Sequence, residues 1–313
     1  MQMRWIKSRR DNIAIIYDIS PMDTYCFNHI SRMTAKNTRH DWQTDTLTAP
    51  GVNAYMEGDD FSAKALTPTT KLSNYTQISR KDIVVSRTAN KVNTAGRKEE
   101  LAYQIVRKGK ELKRDIETAI VGNANASAGT SASPKTSAGM ETWIFTTNHI
   151  SASGQTTNTT PAPVGGLAAT SGTDGSLTAF IETDLKSALQ QAWSRGGEVD
   201  VILLPAALKN KFDAFTGIAT RFRNVAAGQQ ADIVGAADMY VSSYGTHKAV
   251  ISRYMRATVV LCLDMSTWGL AWLDGIQMEQ IAKSGDSEKR MMVGEWTLVA
   301  KSPEANTKLT GVV

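Results

Sequence analysis

The longest periodic pattern of apolar and charged positions lies between residues 96 and 121. Apolar residues recur there at spacings of three and four, which predicts an amphipathic helix over 96–121. The stripe comprises Leu101, Ala102, Ile105, Val106, Leu112, Ile116, Ala119 and Ile120. Charged residues of both signs, Glu117 among them, fill the remaining positions, as is typical of a solvent-exposed helix face. At about 1.5 Å per residue this helix would be roughly 39 Å long, well above the usual three turns.

Residues 41–95 follow a different pattern, in which threonine and serine alternate with apolar residues between turn-forming glycines and prolines. The period of two predicts strands over 74–79 and 82–86. A polar two-stranded excursion buries little apolar surface alone, and about three strands or a packing partner are normally needed for stability. We therefore expect this segment to lie on something outside the chain, with a neighbouring subunit as the obvious candidate.

Helix and strand patterns alternate after residue 176. Apolar spacing predicts a helix over 177–195, with Ser176 as its N-cap and the Gly196-Gly197 pair ending it. Residues 199–204 are typical of a buried strand, and Pro205 suits the first turn of a following helix. The buried side of that helix is predicted to be Leu208, Phe212 and Phe215. This order predicts a layered α/β subdomain.

The last part of the chain returns to strands. A hairpin is predicted over 240–251 and an apolar strand over 258–263. Asp274-Gly275 is a strong signal for a two-residue hairpin turn. Two alternating segments, 277–283 and 291–301, are predicted to be strands that cover the long helix.

The N-terminal 40 residues are basic, with five Arg and two Lys against three Asp, a local net charge of +4. A partly extended basic arm and a short helix packed on the core remain equally open interpretations. Over the whole chain the net charge of +5 is compatible with nucleic-acid contact but too small to establish it. A hydrophobic content of 42% excludes disorder throughout the 313 residues.

Several classes of protein lack support in the sequence. No apolar segment follows the basic N-terminus, and no apolar run approaches the roughly 18 residues of a membrane span, so we expect a soluble intracellular protein. Cys26 and Cys262 form no CxxC pair and are predicted to be buried thiols. The four histidines show no metal-ligand spacing, and nucleophile and phosphate-binding motifs are missing. The sequence therefore predicts no catalytic, cofactor-binding or metal-binding residues, and no enzyme.

Seven short segments, spread in collinear order over nearly the whole chain, together show a specific resemblance to a known family, although each segment alone is a weak signal. They are 19–24 (ISPMDT), 42–47 (WQTDTL), 72–79 (LSNYTQIS), 95–104 (AGRKEELAYQ), 108–117 (KGKELKRDIE), 244–246 (YGT) and 285–290 (GDSEKR). Together they resemble the major capsid proteins of tailed bacteriophages with the Hong Kong 97-type fold, especially the subset with an Ile-Ser-Pro-x-Asp-Thr segment. Met22, Tyr25 and Cys26 depart from the commoner form of that turn, which puts no role in doubt because the segment is structural.

The resemblance implies an α+β fold with an extended E-loop and a P-domain built on the long, or spine, helix. The implied divisions are an N-arm over 1–40, the E-loop over 41–86, the P-domain over 87–129 with its spine helix over 96–121, an A-domain over 130–254, and a segment over 255–313 that completes the P-domain sheet and returns to the A-domain. Structural residues of the spine are expected to be Leu101, Ile105, Leu112, Ile116 and Ile120. Expected intersubunit contacts in the E-loop are Tyr55, Phe61, Lys64 and Lys71.

The function that the resemblance implies is assembly, as pentamers and hexamers, into an icosahedral shell around a double-stranded DNA genome. Expected partners are further copies of the chain, a scaffolding protein, the portal protein and non-specifically bound DNA, with no membrane and no cofactor. Decoration proteins and covalent cross-linking are left open. No long acidic helical leader precedes Asn12, so the scaffolding protein is expected to be a separate chain. The expected location is the virion, after assembly in the host bacterial cytoplasm.

Two alternatives are kept beside this interpretation. One is an encapsulin-like nanocompartment shell subunit on the same fold. The other is a basic genome-associated protein that builds no shell, which would require strongly salt-dependent DNA affinity. The dispersed charge argues against the second.

Overall fold

The computed structural model describes residues 23–47, 50–58, 60, 66, 68–92, 99–145, 147–156, 158–215, 239–283 and 285–313. In chain order its helices and strands are α1 (Tyr25–His29), β1 (Ser31–Thr34), β2 (Arg39–Thr44), β3 (Thr70–Tyr75), β4 (Gln77–Ser86), α2 (Arg87–Lys91), α3 (Glu100–Val121), α4 (Met140–Trp143), β5 (His149–Ile150), α5 (Glu182–Ser194), β6 (Val201–Leu204), α6 (Ala206–Asp213), β7 (Met239–Ser242), β8 (Gly245–Ile251), β9 (Val259–Leu263), β10 (Trp268–Ile281), β11 (Ser287–Ala300) and β12 (Thr307–Thr310).

The described residues form three sheets. A four-stranded sheet has the order β1-β10-β11-β4, and its centre is the antiparallel pair β10 and β11, each 14 residues long. A six-stranded mixed sheet has the order β5-β12-β9-β6-β8-β7. The third sheet is the antiparallel pair β2 and β3. Most strand pairs are antiparallel and the helices do not alternate regularly with the strands, which agrees with the predicted α+β class.

Two apolar clusters lie on opposite faces of the six-stranded sheet. The alternation along β9 shows this, because Val259, Leu261 and Leu263 belong to the cluster that includes α3. The residues between them, Val260 and Cys262, belong to the cluster that includes α5 and α6. The central strands are consequently buried on both faces and read as continuous apolar runs. The predicted burial of both thiols, at Cys26 and Cys262, is confirmed.

Helix α3 confirms the predicted long helix, although its described turns begin at Glu100 and the first positions of the prediction, 96–98, lie outside the described residues. Its 22 residues correspond to about 33 Å. Leu112, Ile116 and Ile120 are fully buried, as predicted. Leu101 and Ile105 are only half-buried among the residues that the structure describes. Val106, a member of the same predicted stripe, is 61% exposed.

The predicted hairpin turn at Asp274-Gly275 is wrong. Strand β10 continues through both residues, and its pairing with β11 shifts register between Trp272 and Asp274 and again between Asp274 and Gln277. The Asp-Gly pair therefore lies at a β-bulge, another local feature that favours small turn-forming residues. The chain reverses later, between Ile281 and Ser287.

The predicted start of the second long helix is also wrong. Helix α5 begins at Glu182 rather than 177, and Ser176 is not its N-cap. The backbone of 177–181 instead pairs with the C-terminus, where Thr178 N donates to Gly311 O and Phe180 N donates to Val313 O. Tertiary hydrogen bonds thus hold this stretch extended although its apolar spacing fits a helix.

Other predicted boundaries shift without changing the element type. The predicted strand 74–79 is interrupted at Thr76, between β3 and β4. Strand β4 then pairs along its whole length with β11. The stretch 77–86, expected within the extended loop, is therefore part of the four-stranded sheet. Of the two interpretations of the N-terminal segment, the packed short helix is confirmed for α1, whereas 1–22 lies outside the described residues.

Candidate functional site

The most exposed apolar side chains of the described chain are concentrated between β2 and β3. Leu47, Val52, Tyr55, Met56 and Leu66 are between 76% and 99% exposed. Strands β2 and β3 and the residues that join them, 39–75, are hereafter the hairpin arm. Single exposed apolar residues are ordinary, but a concentration of them on one segment marks a contact surface.

The predicted contact residues of this arm do not all lie together. Tyr55 is 76% exposed on its projecting part. Lys71 lies on β3, where its Nζ is 2.6 Å from the Asp41 carboxylate of the paired strand. Lys71 is thus engaged with the neighbouring strand of the arm, in an exposed ion pair of small energetic value. Phe61 and Lys64 lie outside the described residues.

The root of the arm is held by a loop from later in the chain. Ser73 N donates to Gly166 O over 2.7 Å, and Ser73 and Leu167 form a parallel bridge. Gly166 has a positive φ of 79°, and a Cβ there would collide with the carbonyl oxygen of Lys71. A glycine is therefore needed for the loop to approach β3 this closely.

Glu117 is a buried residue that the sequence pattern placed on the solvent face of α3. Its side chain is fully buried, and its carboxylate accepts hydrogen bonds from Cys26 N at 2.9 Å and Phe27 N at 2.6 Å. Burial raises the pKa of this carboxyl group, and the hydrogen bonds from the α1 backbone act in the opposite direction. Glu117 thereby fixes α1 to α3. The one feature of the sequence that could have indicated the burial of Glu117 is its position directly after Ile116, at the edge of the apolar stripe.

A second buried ionic group lies where α4 meets the six-stranded sheet. The Arg256 guanidinium donates to Glu141 Oε2 at 2.6 Å and to Asp174 Oδ2 at 2.6 Å. Glu141 and Lys308 are fully buried, and Lys308 Nζ donates to the backbone oxygen of Glu141. The imidazole of His149 contacts the hydroxyls of Thr160 and Thr310 nearby. These charges offset one another, which is what permits their burial.

The environment of this group shifts several pKa values. Burial raises the pKa of Glu141, while hydrogen bonds from Arg256 lower it. Burial alone would raise the pKa of Asp174, but the Arg256 hydrogen bonds and charge bring it below the usual value. Burial lowers the pKa of Lys308 to about 8. Burial, together with the positive charge of Lys308, lowers the pKa of His149 to about 3. His149 is therefore neutral in the folded chain at physiological pH.

A pH prediction follows from His149. Its pKa is lower in the folded chain than in the unfolded chain, so unfolding takes up a proton below about pH 6.5. The stability that this group contributes is complete above that pH and is lost as the pH falls towards 3. Between pH 7 and pH 5 the wild-type chain should lose about 2 kcal/mol more than His149→Gln.

Urea unfolding of the two chains at both pH values measures this difference. Equal pH dependence in wild type and His149→Gln would contradict the prediction.

Neither a membrane-crossing helix nor a metal-binding cluster occurs in the part of the chain that the structure describes. No helix there is long and apolar enough to span a bilayer. No three His, Cys, Asp or Glu residues converge there in a way that could hold a metal ion.

Comparisons with known proteins agree across sequence and structure. A family model described as the SU10 major capsid protein matches residues 4–313. A curated relative, the major capsid protein of Escherichia phage Phieco32, is 27% identical over 319 residues, which cover 92% of this chain and 90% of the relative.

Solved structures give the same result for the fold. The cyanophage A-1(L) capsid asymmetric unit matches with a TM-score of 0.67 at 10% identity, over 97% of each chain. The capsid of a native GTA particle matches with a TM-score of 0.63 at 11% identity, over 98% of this chain and 96% of that chain. A chain of Microbacterium phage Oxtober96 matches with a TM-score of 0.60 at 13% identity, over 97% of this chain and 95% of that chain. Together they confirm the predicted α+β fold of the Hong Kong 97 type.

Proposed function

This chain belongs to the SU10 major capsid protein family, and from that premise we propose that it assembles as pentamers and hexamers into an icosahedral shell around a double-stranded DNA genome. It is a structural protein of a tailed-phage virion, as the family and the curated phage relative indicate. The same two matches disfavour the encapsulin-like alternative. The narrower subset with the Ile-Ser-Pro-x-Asp-Thr segment stays a prediction.

One observation carries the proposal for assembly. The hairpin arm exposes five large apolar side chains that the described residues of its own chain leave uncovered. Apolar surface is stabilised by burial at about 25 cal/mol per Å², so covering these side chains with another copy would favour association. An arm that projects from one copy and lies on the next links subunits into a closed shell.

The arrangement of the sheets supports the proposed division of the subunit. The projecting part of the hairpin arm corresponds to the E-loop, and α3 with the four-stranded sheet corresponds to the P-domain. The six-stranded sheet with α5 and α6 corresponds to the A-domain, to which β9 and β12 return from the C-terminal segment. Residues 1–40 are proposed as the N-arm, and its α1 is bound to α3 through Glu117.

The proposed partners are those that a shell of this kind needs. Further copies of the chain form the capsomers, a separate scaffolding protein directs their assembly, and a portal protein occupies one vertex. Packaged DNA is held without sequence preference, which suits the mild excess of positive charge on the chain. Decoration proteins are an additional candidate for the outer surface. Assembly is proposed to take place in the host bacterial cytoplasm.

The E-loop assignment is tested by replacing residues 46–68 with a short Gly-Ser linker. Strands β2 and β3 remain in the chain, so we expect a folded, soluble subunit with an unchanged melting temperature. We also expect no closed shells, because the exposed apolar residues that bind the neighbouring copy are gone. Electron microscopy and size-exclusion chromatography of the wild-type and linker chains measure this.

Leu177→Ser is the matched control, since this exposed leucine lies outside the hairpin arm. It should leave shell formation intact. Normal shells from the linker chain would refute the E-loop assignment. Discrete monomers of the wild-type chain under every condition, with a scaffolding protein included, would refute the proposed function itself.

A further inference from the structure

Asn74, on β3 at the root of the hairpin arm, is fully buried. Its side-chain nitrogen donates to Leu298 O at 2.8 Å, to Ser137 Oγ at 3.1 Å and to Ala138 O at 3.4 Å. Its side-chain oxygen accepts from Ala138 N at 3.0 Å and from Tyr75 N at 3.0 Å. The full donor and acceptor capacity of the amide is therefore used.

These bonds join three parts of the chain that are distant in sequence. Asn74 belongs to the hairpin arm, Leu298 to β11 of the four-stranded sheet, and Ser137 and Ala138 to the loop before α4. Ser137 Oγ also accepts from Leu298 N at 3.1 Å, which closes the group. An aliphatic side chain could fill this space but would leave Ala138 N and Leu298 O without these partners.

The position of Asn74 matters because of where the arm leaves the body of the subunit. Along β3 the first two residues are exposed, and Leu72, Ser73 and Asn74 are then buried in succession. Consecutive burial means that both faces of the strand are covered at this point, in contrast to the exposed residues that precede it. The buried end of β3 therefore holds the arm against the body of the subunit, as Trp42 of β2 also does through the hydrogen bond from its Nε1 to Ala300 O.

A small error at the root becomes a large error at the far end. Residues 45–69 join β2 to β3, and any chain of about 12 residues spans at most about 40 Å when it is fully extended. For that limiting length, a rotation of roughly 10° at the root would displace the far end by up to about 7 Å, more than the roughly 4.8 Å spacing of neighbouring strands. Contacts with the next copy would be lost even though the arm itself were intact.

We propose that Asn74 is a positioning residue for shell assembly: its buried amide fixes the direction of the hairpin arm relative to β11 and the loop before α4, so that the arm meets the neighbouring copy. The inference rests on the proposed function, because it concerns how the same intersubunit contact is made. Asn74 would then affect shell assembly by more than its contribution to the stability of the subunit.

The experiment compares Asn74→Ala with Leu189→Ala, a substitution in the apolar cluster around α5, which contributes nothing to the root of the arm. Both variants should lower the melting temperature of the soluble subunit. Only Asn74→Ala should also lower the yield of closed shells, by about tenfold or more relative to Leu189→Ala, because each misdirected arm weakens an intersubunit contact. Amide hydrogen exchange in β2 and β3 should accelerate in Asn74→Ala and stay unchanged in Leu189→Ala.

Shell yields that simply follow melting temperature in both variants would overturn the proposal. If Asn74→Ala is insoluble, the milder Ser137→Ala decides, since it removes one shared hydroxyl of the same group. A Ser137→Ala chain with normal shell yield and normal exchange in the arm would then overturn it. Wild-type chain that forms no shells even with a scaffolding protein refutes the proposed function instead, so the two failures are distinguishable.

Discussion

Ile116→Asp is expected to leave the chain insoluble, whereas Ile105→Asp is expected to leave it folded. Both residues lie on the apolar stripe of α3, eleven residues or about three helical turns apart. Ile116 is fully buried in the core cluster, whereas Ile105 is half-buried and packs against that cluster. A carboxylate at position 116 would be buried without a partner, which costs several kcal/mol of a total stability of about 5–15 kcal/mol.

At position 105 the new carboxylate can reach water, so the expected loss is about 1–2 kcal/mol, within the range of ordinary point substitutions. The soluble fraction after expression and the urea midpoint of the soluble variant measure the two effects. Ile116→Val is the control for position, because it keeps the site apolar and should cost only about 1 kcal/mol. Insolubility of Ile105→Asp to the same degree as Ile116→Asp would contradict the difference in burial along the helix.

The same contrast shows what the periodicity of α3 could and could not predict. Spacings of three and four identify the helix and the face that turns inward, because they depend on local geometry alone. They do not indicate where burial stops along that face. The end of burial depends on β4 and β11, and β11 lies nearly 200 residues later in the sequence than the start of the helix. Val106 therefore matched the predicted stripe and is nevertheless exposed.

Boundaries failed where long-range pairing overruled a local signal. Asp274-Gly275 has the composition of a hairpin turn, but β11 pairs on both sides of it and keeps the strand continuous. Residues 177–181 have helical spacing, but hydrogen bonds to Gly311 and Val313 hold them extended. Strands β6 and β9 were predicted more closely because they are buried on both faces, so their composition is apolar throughout.

The polar residues that hold the subunit together were the least predictable part. Glu117 and Glu141 are charged residues on helices, for which a solvent-exposed position is the ordinary expectation. Their partners are distant in sequence: Cys26 lies 91 residues from Glu117, and Arg256 lies 115 residues from Glu141. A hydrogen bond across such a distance leaves no periodic signal. In the sequence, Asn74 stands out only as part of the strand predicted over 74–79 and of the segment 72–79 that carries the family resemblance, and neither indicates its burial.

The second large effect is expected at Arg256. Arg256→Met should destabilise the subunit by about 3 kcal/mol, because it leaves the carboxylate of Glu141 buried without its hydrogen-bonded cation. Glu141 is fully buried, but the Arg256 side chain is 38% exposed. The expected loss of stability therefore lies at the lower end of the range for broken buried ion pairs. Lys308, close to the Glu141 backbone, supplies the remaining positive charge.

Arg253 offers a matched control three residues away. It pairs with Asp23 at 3.4 Å, but the two side chains are 61% and 67% exposed, so Arg253→Met should cost less than about 1 kcal/mol. Combining Arg256→Met with Glu141→Gln should recover part of the loss, since the buried group is then neutral. Urea unfolding of the four chains at pH 7 tests this order. Equal stabilities of Arg256→Met and Arg253→Met would show that burial of Glu141 does not depend on its arginine, and that solvent or Lys308 is sufficient to satisfy the carboxylate.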